Sequence, residues 1–413
     1  MAQAVLLVGL LLLLASLFTT LFRRTQIPDV LELILLGILI GPVLHWVHPD
    51  DFGKAGAFMS TIALVVILFE SGVSLSLKAL SASIRDTLGL TLGHFLVSMG
   101  VVATITHYWL GTPMLLSLFL GAALGGTAAA VVIPMVKVLR LREQPATVLV
   151  LESALTDVLC IVVALAFLDA AVSGLANPGR VVGNIVTTFL FAVVAGGLAA
   201  VVWLAYLDAV RELPFQIFTM LAYLFVVYGV AELLGFSGGI AAFSFGFVIT
   251  SYDELGLGRL RRLAHLRLTG PALPPAAQEF LLEVVFVLKT FFFLYLGLSV
   301  TLGDRGLVLP AAATMLALLL GRGIVTWATV SRTTSRRDAG LMALMTPKGL
   351  APAVLAAVPL RRGIEGAETL QQFTYMVVIS SILIVSVLIP LLQTRVGAGA
   401  CAALFRRFAP DHS

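Results

Sequence analysis

Charge is scarce in this sequence. Only 12% of its 413 residues are Asp, Glu, Lys or Arg, about half the share of an ordinary soluble domain, while 60% are hydrophobic. Water cannot hold that much apolar surface, but lipid can. Two cysteines, Cys160 in an apolar run and Cys401 near the C-terminus, exclude a disulfide framework. There is no His-Glu-x-x-His motif, no evident Ser/His pair and no second catalytic aspartate, which argues against an intramembrane enzyme. Nothing calls for a cofactor or for nucleic acid.

What is present is a series of apolar runs rich in Leu, Val and Ala, near residues 4–22, 27–46, 55–77, 87–107, 113–138, 146–171, 181–207, 213–234, 236–251, 278–300, 306–330, 339–360 and 371–393. Their lengths suit membrane helices, not the ten-residue strands of a barrel, because lipid offers a spanning backbone no partners. The expected fold is an all-α membrane protein of about thirteen transmembrane helices. The short link after Leu234 makes the eighth and ninth spans the hardest pair to separate. At the N-terminus the apolar stretch precedes Arg23 and Arg24, the reverse of a cleavable signal, so a retained first helix is expected. With that N-terminus outside, eighteen of the 26 Lys and Arg fall on the inner side, five on the outer and three within spans. That bias fits an odd helix number in a cell (inner) membrane, with the C-terminus cytoplasmic. Residues 394–413 form a short tail.

Two spans are interrupted. The fifth carries Leu124-Gly125-Gly126-Thr127-Ala128-Ala129-Ala130 and later Pro134; the twelfth carries Thr346-Pro347-Lys348-Gly349-Leu350-Ala351-Pro352. Seven positions apart in the order, they cross the bilayer in opposite senses. Such a pair points to an inverted-repeat transporter with its site at mid-membrane.

The spans also hold ionisable residues, which are costly there and usually pair or line a wet cavity. In the sixth, Glu152, Ser153, Thr156 and Asp157 share one arc. The two carboxyls lie about 7.5 Å apart along the axis and point differently, so one can be paired and the other free. Arg322 in the eleventh span cannot deprotonate and needs an anion, for which Glu152 is the strongest candidate. Lys348 would offset the negative helix ends at a break. Glu70 is divided between lining a funnel and a buried hydrogen bond. Lys289 would pair with Glu283 or line the cavity, and His94 reads as a satisfied polar group.

An alkali cation prefers oxygen ligands, as the larger hard cations do. Asp157, Ser153, Thr156 and carbonyls freed at Thr127 would supply them. With Glu152 paired, Asp157 is the one free negative charge, and it would hold a proton or a cation, not both. If one carboxyl cycles, one cation exchanges for one proton and no net charge moves. Sodium-coupled transport of an organic solute is the competing reading, though it calls for a larger polar site. A channel is disfavoured because paired broken helices serve alternating access.

These residues resemble sodium/proton antiporters of the NhaP type, within the cation:proton antiporter superfamily, over roughly residues 5–393. Glu152-Ser153-Ala154-Leu155-Thr156-Asp157 is similar to that family's Glu-Ser-x-x-Asn-Asp stretch. The resemblance implies that Asp157 binds the ion and the proton with help from Ser153, and that Arg322 pairs with Glu152. It further implies that Thr127 and the Lys348-Gly349 step sit at two helix crossings. Phe69-Glu70-Ser71-Gly72 and Phe291-Phe292-Phe293 with Gly297-Leu298 resemble two weaker family motifs. Thr156 departs from the usual Asn, or the Asp of electrogenic relatives, which favours electroneutral exchange. Ala128-Ala129 departs from Asp-Pro, and the lost ligands leave Na⁺ and K⁺ both open. The implied architecture is a homodimer. Its dimer domain would comprise residues 1–80 and 213–300, its linker helix 181–207, and its moving core 87–171 and 306–393.

Overall fold

In this computed structural model the described residues are all except 1, 26, 76, 174–177, 211–215, 257–272, 274, 302–304 and 411–413. Arg211 and the basic Arg259, Arg261, Arg262 and Arg267 fall outside them. Among the described residues the fold is all-helical, apart from one isolated β-bridge between Ser335 and Ala409. Among those residues six stretches are long and apolar enough to cross a bilayer: Ser83–Leu110, Glu143–Val172, Val186–Tyr206, Ala277–Leu298, Gly306–Thr329 and Ala367–Gln393. Large apolar side chains face outward along them, among them Leu198 and Ile324 at 62% and 67% exposure. Lipid is the solvent such a surface requires, and the chain is a multi-pass membrane protein.

The first half comprises α1 (Ala2–Thr25), α2 (Asp29–Ile38), α3 (Lys54–Ser74), α4 (Leu77–Leu110), α5 (Met114–Ala123), α6 (Ala129–Val138), α7 (Glu143–Ser173) and α8 (Pro178–Val210). The second comprises α9 (Gln216–Leu233), α10 (Gly238–Ser251), α11 (Pro275–Leu298), α12 (Arg305–Thr329), α13 (Arg336–Leu344), α14 (Leu350–Ala356), α15 (Val358–Arg361), α16 (Ala367–Gln393) and α17 (Arg395–Leu404). The expected second span is only partly α-helical, since residues 39–43 widen into a π turn around Pro42, which has no N–H to give. The link after Leu234 does separate two helices. Gly235 takes φ 79° there, and the Ser237 hydroxyl caps α10 by accepting from the Ile240 N–H.

The helices pack in two sets. In one, α2 runs along α11, α11 touches α3, and α3 lies against α10, which also packs on α8 and α9. Glycines let these backbones meet. A Cβ on Gly37 of α2 would stand 2.9 Å from Gly297 Cα of α11, and one on Gly72 of α3 would collide with the Phe243 carbonyl of α10. Gly246 of α10 returns the second contact against the Phe69 carbonyl. Small residues at a membrane helix interface permit such approach, which gives Gly72 and Gly297 of the two weaker motifs a packing role. In the other set α4 packs on α5, α7 and α12, while α16 lies against α12, α13 and α14.

The chain breaks in two places inside this second set. Residues 124–128 separate α5 from α6, and residues 345–349 separate α13 from α14. The helical phases resume sooner than the prolines suggest. Pro134 lies inside α6, and Pro352 falls in the first turn of α14, where a missing N–H costs nothing. At the second break Thr346 precedes Pro347, a position sterically biased away from helix. The two gaps touch: the Ala128 N–H donates to the Pro347 carbonyl at 2.7 Å. A Cβ on Gly349 would stand 2.5 Å from that of Ala128. Each break therefore satisfies part of the other's freed backbone.

Candidate functional site

The site is built where α7 passes the two breaks. On α7, Glu152, Ser153 and Thr156 are wholly buried and Asp157 is 9% exposed. Glu152 is neutralised from α12: Arg322, also wholly buried, forks onto it, Nη2 to Oε2 at 2.7 Å and Nη1 to Oε1. The Nε of Arg322 donates to the Met342 carbonyl at 3.0 Å. One guanidinium thus ties α7, α12 and α13 together.

The hydroxyls near Asp157 turn their protons toward their own helix. Ser153 Oγ donates to the Val150 carbonyl at 2.9 Å and Thr156 Oγ1 to the Ser153 carbonyl at 3.1 Å. Thr156 Oγ1 also accepts the Thr127 N–H, 3.2 Å away, joining the first break to α7. Oxygen lone pairs remain available on both side chains. Thr127 Oγ1 and Thr346 Oγ1, one from each break, are buried without a hydrogen-bond partner. Asp157 makes no ion pair among the described residues.

Lys348 is wholly buried. Its Nζ donates to the Gly126 carbonyl at 2.9 Å, near the C-terminal end of α5, where carbonyls lack helical partners. Its own N–H is held by Ser381 Oγ at 2.8 Å. The structure therefore brings Glu152, Ser153, Thr156, Thr127, Arg322 and Lys348 around the two breaks, with Asp157 beside them on α7. Glu70 belongs elsewhere, on α3, accepting from Ser74 Oγ at 2.8 Å. Its neighbours Ser71 and Ser74 line a cavity of about 10 Å³ against Ala129, Val150 and Ala154, about enough for one water.

Lys289 differs from expectation. It pairs with Asp29 of α2 at 2.8 Å, neither with Glu283 nor as a free cavity lining. Asp29 also receives the Thr19 hydroxyl, so this charge is absorbed where α1, α2 and α11 meet. Sequence reasoning also missed Thr346, Ser381 and the contact of His94 with Lys348. Thr346 had a signal in the sequence, since it precedes Pro347 inside a broken span. A second cavity, of about 310 Å³, separates α3 and α11 from α14–α16, lined by Ser60, Tyr295, Arg361, Gln371 and Tyr375 among others.

No group of three or more His, Cys, Asp or Glu that could hold a metal ion occurs among the described residues. The donors that converge are one carboxylate and several neutral oxygens. Oxygens of this kind are the donors that hard cations prefer.

Comparison with known proteins places this geometry. The K(+)/H(+) antiporter NhaP2 of Shewanella sp. (strain ANA-3) is 24% identical over 392 residues, 92% of this chain and 64% of that protein. Sodium/hydrogen exchanger 7 of Arabidopsis thaliana is 26% identical over 271 residues, 60% of this chain but only 23% of that one. The chain thus spans less than two thirds of either relative. The sodium proton antiporter MjNhaP1 of Methanocaldococcus jannaschii, solved at pH 8, superposes with a TM-score of 0.73 at 22% identity, covering 93% of this chain and 99% of that one. The fold is therefore shared. A family model described as sodium/hydrogen exchanger, transmembrane, matches residues 10–394, and this chain belongs to that family.

Proposed function

We propose that the protein exchanges a monovalent cation, Na⁺ or K⁺, for protons across a cell membrane, with the two competing for Asp157. One observation carries this reading: of the two carboxyls on the site face of α7, Glu152 is consumed by Arg322, while Asp157 has no charged partner among the described residues. A carboxylate withdrawn from water is unfavourable when ionised and alone, so it takes a proton or a cation. Ser153, Thr156 and Thr127 supply neutral oxygens beside it. The orphaned Thr127 hydroxyl supports this assignment, because a buried donor-acceptor without a partner is costly and a bound cation would engage its oxygen.

The finer architecture follows from the same reading. Thirteen spans form two inverted repeats, α5–α6 and α13–α14 being the crossed broken helices. Lys348 compensates the helix ends at their meeting point, and Glu152 with Arg322 is a structural pair. Residues 87–171 and 306–393 form a core that moves against a dimer domain of 1–80 and 213–300, with α8 as linker and a second copy completing a homodimer. The cavity between α3, α11 and α14–α16 lies between these units, as alternating access requires. The N-terminus is outside and the C-terminus cytoplasmic.

Proteoliposomes carrying a pH-sensitive dye test the proposal. Na⁺, K⁺ or Li⁺ added to acid-loaded vesicles should dissipate the gradient, and Asp157→Asn should abolish the response. For one-for-one competition the apparent KM for the cation rises about tenfold per pH unit on the acid limb. Normal exchange by Asp157→Asn would remove Asp157 from the mechanism. No response of the wild type to any cation would favour transport of an organic solute.

A further inference from the structure

Lys348 presents a problem that the exchanger reading leaves open. It is a buried amine with no ion-pair partner among the described residues, held at a break that packs on the helix carrying Asp157. Gly126, whose carbonyl holds the ammonium, is pressed onto α7. A Cβ there would stand 2.8 Å from Cys160 Sγ and 3.2 Å from Thr156 Oγ1, and Cys160 lies less than one turn from Asp157. A lysine has a flexible four-carbon stem, and opposite charges in a poorly hydrated site attract strongly. If Lys348 swung to Asp157, the protein's own cation would occupy the cargo site.

His94 stands on the opposite side of the break. It lies on α4, wholly buried, with Nε2 3.5 Å from Lys348 Nζ and with Ser98 Oγ 3.4 Å from Nδ1 and 3.5 Å from Nε2. The next residue, Phe95, packs its ring on Gly125, where a Cβ would come within 2.6 Å. The first break is therefore sandwiched, with Gly125 on α4 and Gly126 on α7. An ammonium carries hydrogens only, so a ring nitrogen that meets it does so with a lone pair. Besides Lys348, the charge bearing on the ring is Arg322 of α12, itself engaged by Glu152 of α7. Asp157 and Cys160 are the other ionisable groups α7 brings to this region.

We propose that His94 is a positioning residue that holds Lys348 on the Gly126 carbonyl and keeps it off Asp157, so that the cation competes with a proton alone. The proposal rests on the exchanger reading above.

Two near-isosteric variants separate this role from space filling. In His94→Gln the amide oxygen reaches about as far as Nε2; in His94→Asn it reaches only as far as Nδ1. KM and maximal rate for the transported cation are measured in proteoliposomes, after size-exclusion comparison with the wild type. His94→Asn should raise KM about tenfold with the maximal rate within about twofold, while His94→Gln stays within about twofold of wild type in both. Equal KM shifts in the two variants, no shift in either, a change confined to maximal rate, or misfolding of both would overturn the proposal. A wild type that exchanges no cation would instead bring down the exchanger reading itself.

Discussion

Replacing Glu152 by glutamine keeps its shape and removes its charge, leaving Arg322 as an unpaired cation with no exposed surface. Breaking one side of a buried pair costs about 3–5 kcal/mol, because the remaining charge has lost its solvent and its partner. Divided by the unfolding entropy of a chain this long, about 2.1 cal/mol/K per residue, the loss lowers the melting temperature by roughly 3–6 °C. Removing both charges together, as Glu152→Met with Arg322→Met, should undo most of it. The desolvation penalty then disappears with the attraction, and what remains is the Arg322 bond to Met342, worth about 1 kcal/mol. The assay is built into the protein: Cys160 and Cys401 are both buried, so a thiol-reactive fluorophore in detergent reports unfolding directly. The reasoning fails if Glu152→Gln melts with the wild type, or if the double variant melts no higher than the single.

Two further substitutions test the site's geometry and its charge. Gly349→Ala places a methyl group against the Cβ and Cα of Ala128, with no flexible side chain to yield; exchange should fall at least tenfold while the protein still inserts, measured as initial rate per reconstituted protein, and an unaltered rate would deny the two breaks their contact. Thr156→Asp adds a second carboxylate next to Asp157 and removes the hydroxyl that receives the Thr127 N–H; exchange should become sensitive to an imposed membrane potential, read with a valinomycin clamp, whereas wild-type exchange should ignore it.

Much of this molecule can be read before any coordinates. Interruptions at Gly125-Gly126 and Thr346-Pro347 are local chemistry, since glycine removes the steric constraint and proline removes a donor. The arc of Glu152, Ser153, Thr156 and Asp157 follows from helical periodicity, and a guanidinium at position 322 demands an anion. Harder to read are contacts between spans far apart in sequence. Lys289 lies six residues from Glu283 on its own helix, yet its partner is Asp29, 260 residues away, chosen because Gly37 and Gly297 bring α2 and α11 into contact. His94 reads as a satisfied polar group whose partner goes unnamed for the same reason, one neighbour being supplied by position 348. The tail is a third case: α17 packs on α13, where the Cys401 thiol meets the Arg336 carbonyl at 3.2 Å, and nothing in its short amphipathic run names that partner.

The charges in the core also bear on stoichiometry. Glu152 and Arg322 cancel one another as a two-point pair. That leaves Asp157 and Lys348. On the proposed competition for Asp157, a proton and a cation would both neutralise it, so the two loaded forms would carry the same net charge. Whatever barrier the bilayer opposes to moving that charge applies equally in both directions of the exchange, and the electrical work done on one leg is recovered on the other. One-for-one exchange without net charge movement would then require only that Lys348 keep one protonation state and its place while Asp157 changes occupants. A carboxylate at position 156 would end that equality, since cation-loaded and proton-loaded cores need no longer match.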